Sequence, residues 1–161
     1  ELIDKGYDSF AISGGGNVRT VGKPRDGKRS KWSIGIQNPD GNPLIPDRDL
    51  LDLAYVSDMS VVSSGDYQRY YVVDDKRIHH IIDPATLMPA GHFRAVTIIT
   101  QDSGIADILS TGIFILPYDE GRALVESLDG VEALWVMPDG SIEATEGLKS
   151  VLKTLGGALN K

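Results

Sequence analysis

The sequence predicts an α+β domain: a largely antiparallel sheet with helices packed on it. Three observations carry the prediction. Short runs rich in β-branched and aromatic residues fill roughly the first hundred positions, separated by Gly, Pro, Asn and Asp. The connections between these runs suit hairpins more than crossovers. Helical periodicity appears only after them, so strands and helices are segregated rather than alternating. The chain has 161 residues, 41% hydrophobic and 24% charged, which is ordinary composition for one globular unit with a real core.

In chain order, Leu2 and Ile3 read as the tail of an amphipathic helix with Gly6 as its stop. The sequence opens mid-pattern without an initiator Met, so a longer protein is expected whose N-terminal part is absent. "SFAIS" (9–13) is a strand, broken by "GGGN" (14–17) and resumed by "VRTVG" (18–22). "KPRDGKRSK" (23–31) is punctuated by Gly and Pro and poor in aliphatics, hence a solvated hairpin loop. "KWSIGIQNP" (31–39) alternates and reads as a strand, and "PDGNPLIPD" (39–47) as loop. Positions 50–84 carry two or three strands, with "DDK" (74–76) as a hairpin turn. "AVTIIT" (95–100) is a continuous apolar strand, the signature of a central position. Then come a helix over 101–116 capped by Asp102 or Ser103, an amphipathic helix over 119–130 closed by Gly130, and a hairpin over 131–145 on a "PDG" turn. A final helix is expected over 146–156, with Leu148, Val151, Leu152 and Leu155 on one face.

A formal net charge of −7 disfavours a nucleic-acid or anionic-membrane surface. The absence of cysteine excludes disulfides, thiolate metal sites and cysteine nucleophiles. No run of about eighteen apolar residues is present to span a membrane as a helix.

Four stretches can carry chemistry. In the helix 103–116 apolar residues cover most of the circumference, which predicts a buried helix. Asp107, Ser110 and Thr111, at i, i+3 and i+4, form one polar stripe on it. A buried carboxylate needs compensation, and a hard cation such as Mg²⁺ takes carboxylate, hydroxyl and carbonyl oxygens together with phosphate. The alternative is a dipole partner at the helix start with hydroxyls bonded back to the preceding turn. Gly14, Gly15 and Gly16 let the backbone approach a ligand and offer N–H groups to an anion, or simply make a β-turn. "SSGDYQRYY" (63–71) combines a small-residue kink (Ser64, Gly65) with Tyr67 and two further tyrosines that either pack or stack on a flavin or adenine ring. In "RIHHIIDP" (77–84), adjacent strand residues face opposite ways. One of His79 and His80 therefore points into a site, and the other is solvent-facing or packed at an edge. Histidine is the usual general base near neutral pH. Asp83 can bond its own turn.

These stretches, in this order, resemble the ApbE family, the FAD:protein FMN transferases: "ISGGGNVRTVG" (12–22), "WSIGIQNPDG" (32–41), "SSGDYQRYY", "HHIIDPATLMPAG" (79–91), "VTIITQDSGIADILSTGIFIL" (96–116) and "VEALWVMPDGSI" (131–142). The resemblance covers nearly the whole chain, and "HIIDP-x-T" followed by "AD-x-x-x-T" is its most specific part. It implies an ApbE-like, T-fold-like architecture, with residues 1–161 as the C-terminal part of a flavin transferase whose upstream part is absent. It implies Mg²⁺-dependent transfer of FMN from FAD to a threonine of an acceptor flavoprotein, releasing AMP. His80 would be the base, with Asp107, Thr111 and the carbonyl of Ser110 around the metal. Gly14, Gly15, Gly16, Ser64, Gly65, Tyr67 and His80 would contact FAD. His79 falls where the family has a small polar residue, has no catalytic role, and its replacement is expected to change little. Leu87 stands where the family has Gly, so a different turn is expected there. Many relatives are exported lipoproteins, which implies an extracytoplasmic or periplasmic home, with the cytoplasm as the alternative. Two further readings are an Mg²⁺-dependent FAD pyrophosphatase giving FMN and AMP, and a non-catalytic flavin-binding module.

Overall fold

The computed structural model describes residues 2–41 and 49–154. Its centre is a six-stranded, wholly antiparallel sheet in the order β1-β2-β5-β10-β11-β12: Phe10–Ser13, Asn17–Val21, Ser60–Gly65, Ala95–Thr100, Glu132–Val136 and Ile142–Ala144. Two-stranded ribbons flank it: β3 (Trp32–Gln37) with β4 (Leu50–Val56), β6 (Tyr70–Val73) with β7 (Lys76–His79), and β8 (Ile82–Asp83) with β9 (Met88–Pro89). Two helices follow β10, α1 (Ser103–Ile115) and α2 (Tyr118–Glu126). The α+β class and the antiparallel sheet are as expected. Among the described residues no helix is long and apolar enough to cross a membrane.

The continuous apolar pattern of β10 has a simple cause. Every residue of the strand is buried, because both faces of the sheet are covered. Val96 and Ile98 join Val62, Ala106, Ile113, Phe114 and Trp135 under the helices. Ala95 and Ile99 join Val61, Leu134, Ala54, Leu148 and Leu152 on the face covered by β3 and β4. Each large side chain fully buried in this way contributes about 1.5–3 kcal/mol. Asp102 caps α1 as expected, its carboxylate accepting from the N–H groups of Gly104 and Ile105. Gly6 stops the N-terminal turn in the left-handed conformation, although that turn is a short 3-10 helix over Ile3–Lys5.

Three expectations change. Positions 50–84 hold five strands rather than two or three, because Gly65 ends β5 and a turn separates it from β6. The second helix is shorter than 119–130. Residues 146–150 form a 3-10 helix instead of the start of an α-helix. There the backbone is claimed by β4: Tyr55 donates to Val151, Lys153 donates to Leu53, and Leu152 bridges Ala54. Leu148 and Leu152 are still buried side by side, and Leu155 lies outside the described residues. So does most of the expected loop 39–47.

Candidate functional site

The glycine turn, the end of β5 and the start of α1 are brought together. Gly15 and Gly16 take φ of 64° and 93°, conformations that favour glycine. A Cβ on Gly16 would stand 3.3 Å from the carbonyl of Ser63, whose N–H donates to the Gly16 carbonyl at 2.9 Å. Asn17 then donates to the carbonyl of Ser103 at 3.3 Å, tying the turn to the first residue of α1. Asn17 was not singled out from sequence, since an Asn after three glycines looks like ordinary turn chemistry.

On the helix side of β5, Ser64 Oγ lies 2.9 Å from Ser110 Oγ and 3.2 Å from Thr111 Oγ1. Ser110 is fully buried and also donates to the Asp107 carbonyl at 3.0 Å. Ser64, Asp107, Ser110 and Thr111 therefore form one cluster. The expectation that α1 is buried all round is corrected. Ile105 and Ile108 are 50% and 74% exposed, and Asp107 and Thr111 face outward with them. The helix covers the sheet with only one side, through Ala106, Ser110, Ile113 and Phe114. Asp107 thus needs no cation to compensate burial, and only its donor chemistry favours a metal. Among the described residues no group of three or more His, Asp or Glu could hold a metal. One carboxylate beside a hydroxyl is a hard-oxygen pair. It suits Mg²⁺ where phosphate and water supply the other ligands.

Gly65 is required for a different reason: a Cβ there would stand 2.2 Å from the ring of Tyr67, which folds back over it. Burial first, then the nearby charges of Asp66 and Asp49, pushes the Tyr67 hydroxyl up to about 12. Tyr67 lines two hollows. One, of about 180 Å³, is lined by Gly16, Ser63, Tyr67 and Gln68, and the other, of about 370 Å³, by Gln37, Asp40, Tyr67, Tyr70 and Arg77. Beside them runs an ion network that the sequence reading missed. Asp66, buried, accepts from Arg77 at 2.8 Å and from Arg94 at 2.9 Å, and Arg94 reaches Asp40 at 2.8 Å. The Arg94 hydrogen bond holds the Asp40 carboxyl below its usual range. Its four members are too far apart in sequence for any local pattern to link them.

His79 and His80 do diverge. His80 lies just past β7, exposed, and among the described residues its imidazole has no hydrogen-bond partner. His79 is packed inside rather than lying on a surface or an edge. It is buried, bonded to the Ala90 carbonyl, and set edge-on to Phe114 with 5.6 Å between centroids. Its replacement would remove a buried hydrogen bond and a ring contact. That contact also presses the end of β7 against α1. His80, next in the chain, and Thr111, one turn before Phe114, rise from touching elements.

The turn after β8 is closed as expected by Asp83, which accepts from Ala85 N–H at 2.8 Å and from the Thr86 hydroxyl at 3.0 Å. Leu87 takes φ of 58°, a left-handed conformation that favours glycine.

The sequence model of the ApbE family matches residues 1–135. An FAD:protein FMN transferase of Treponema pallidum is 35% identical over 96% of this chain and 43% of its own length. One from Klebsiella pneumoniae is 33% identical over 88% of this chain and 41% of its own. Among solved structures, the ApbE protein of Thermotoga maritima aligns with a TM-score of 0.75 and 39% identity, over 88% of this chain and 44% of that one. The apo flavinyl transferase ApbE of Pseudomonas stutzeri aligns with a TM-score of 0.71 and 30% identity, over 93% and 46%. This chain spans less than half the length of each of these four proteins.

Proposed function

This chain belongs to the ApbE family, and from that premise we propose that it is the C-terminal part of a flavin transferase that moves FMN from FAD to a threonine of an acceptor flavoprotein. The observation that carries the reading is the contact between β7 and α1. It seats the strand end that bears His80 against the helix that bears Asp107 and Thr111.

The roles follow from the chemistry of the groups. The threonine oxygen attacks the FMN phosphorus. The bond from that phosphorus to the bridging oxygen breaks, and AMP leaves with the bridging oxygen. The threonine proton passes to the His80 imidazole, which is exposed. Asp107, Thr111 and the carbonyl of Ser110 would hold Mg²⁺, with the Ser64 hydroxyl 3.2 Å from that of Thr111 behind it. A bound Mg²⁺ neutralises charge that develops on the pyrophosphate oxygens. The Gly14 N–H is taken by the Asn17 carbonyl at 2.8 Å, which leaves those of Gly15 and Gly16 to approach the phosphates, and Tyr67, lying over Gly65, gives an aromatic wall for a ring of FAD. The extracytoplasmic setting rests on the family resemblance alone.

His80→Ala in the natural full-length protein tests the assignment. Flavin transfer should fall by roughly 10²–10⁴-fold with the melting temperature kept. Undiminished transfer would remove His80 from the reaction.

A further inference from the structure

His79 is idle in the reaction above, yet its ring makes two backbone hydrogen bonds. Nε2 lies 2.8 Å from the carbonyl oxygen of Ala90, and the N–H of Ile81 donates to Nδ1 at 3.3 Å. A carbonyl can only accept and an amide N–H can only donate. Both bonds can form together only on the neutral ring with its proton on Nε2. The two backbone partners are themselves joined, the Ala90 N–H donating to the Ile81 carbonyl at 3.0 Å. Ile81 is buried, and the third side of the imidazole rests on Phe114.

His80 stands between these two anchored neighbours. Among the described residues its side chain has no hydrogen-bond partner, and its N–H reaches the Arg69 carbonyl at a long 3.3 Å. The direction in which it is presented must then come from the backbone on either side. We propose that His79 is a positioning residue for His80: its imidazole straps Ile81 to Ala90 and to α1, and so fixes where the neighbouring histidine points. The proposal rests on the reading of His80 as the base.

The test uses the natural full-length protein, its His79→Phe variant, which keeps a ring against Phe114 but loses both bonds, and His79→Asn, whose amide oxygen stands near the place of Nδ1. Long-range proton–nitrogen correlation should find wild-type His79 neutral with its proton on Nε2. In His79→Phe, kcat for flavin transfer should fall ten- to a hundredfold, on the order expected for a misplaced reacting group, with KM for FAD unchanged. The His80 amide should gain fast motion, and His79→Asn should recover part of both losses. A proton on Nδ1 in the wild type would overturn the strap. So would full kcat and an ordered His80 amide in His79→Phe. If the wild type transfers no flavin, the functional reading fails by itself, and the tautomer with the His80 amide dynamics still decides the strap.

Discussion

Leu87 and Asp107 show what single residues contribute. Leu87 holds a left-handed φ of 58° and is 77% exposed, so its side chain offsets little of the strain. Left-handed backbone costs about 1–2 kcal/mol for an L residue, and glycine gives back about 0.4–1 kcal/mol through the freer unfolded chain. Leu87→Gly should therefore stabilise by about 0.5–1 kcal/mol, read as a melting temperature raised by about 2 °C. A lower melting temperature would contradict that balance. Asp107 was legible as a candidate ligand from its spacing to Thr111, but not its exposure. Periodicity counts apolar positions and cannot tell which side of a helix the described chain covers. Because Asp107 is exposed, Asp107→Ala should leave the metal-free melting temperature within about 1 °C, as ordinary surface changes do. It should also abolish any rise in melting temperature on adding Mg²⁺. A retained Mg²⁺ response would place the metal elsewhere. His79 was misjudged for a related reason: alternation says that two neighbours diverge, not which of the two directions is the core.

At the scale of elements, the end of β5 organises the site. Ser63 and Ser64 point to opposite faces, one to Thr97 at 2.8 Å and the other to Ser110. Gly65 then admits the Tyr67 ring, and Asp66 gathers Arg77 from β7 and Arg94 from the bend before β10. The kink in "SSGDY" was visible in sequence; the arginines that it recruits were not, since ion pairs between distant positions leave no local trace. Tyr67 gives this element a measurable signature. Its hydroxyl titrates at about 12 instead of the ordinary 10. A raised folded value means that the native state keeps its proton while the unfolded chain ionises. The contribution to stability is thus complete below pH ~10 and is lost as pH rises from there through about 12. An ultraviolet difference titration, compared with Tyr67→Phe, should show the Tyr67 tyrosinate forming only near the upper end of that range. Ionisation near 10 would mean that the ring is not folded over Gly65.

For the whole molecule, the sheet, its central strand and both helices of the second half were legible because each has a strong local pattern. The 3-10 segment at 146–150 was not, because pairing with β4, about a hundred residues away in the chain, overrides local helix preference. The family was legible because its motifs are local and keep their order. The open face of α1, with Ile105 and Ile108 exposed, borders Asp107 and Thr111. The relatives carry more than twice this length of chain. Flavin transfer is therefore to be sought in the natural full-length protein, and intact mass spectrometry of an acceptor flavoprotein tests it directly. Incubated with the enzyme, FAD and Mg²⁺, the acceptor should gain the mass of one FMN less water on a threonine, while AMP appears in equal amount. Free FMN and AMP beside an unmodified acceptor would contradict transfer and identify a pyrophosphatase instead.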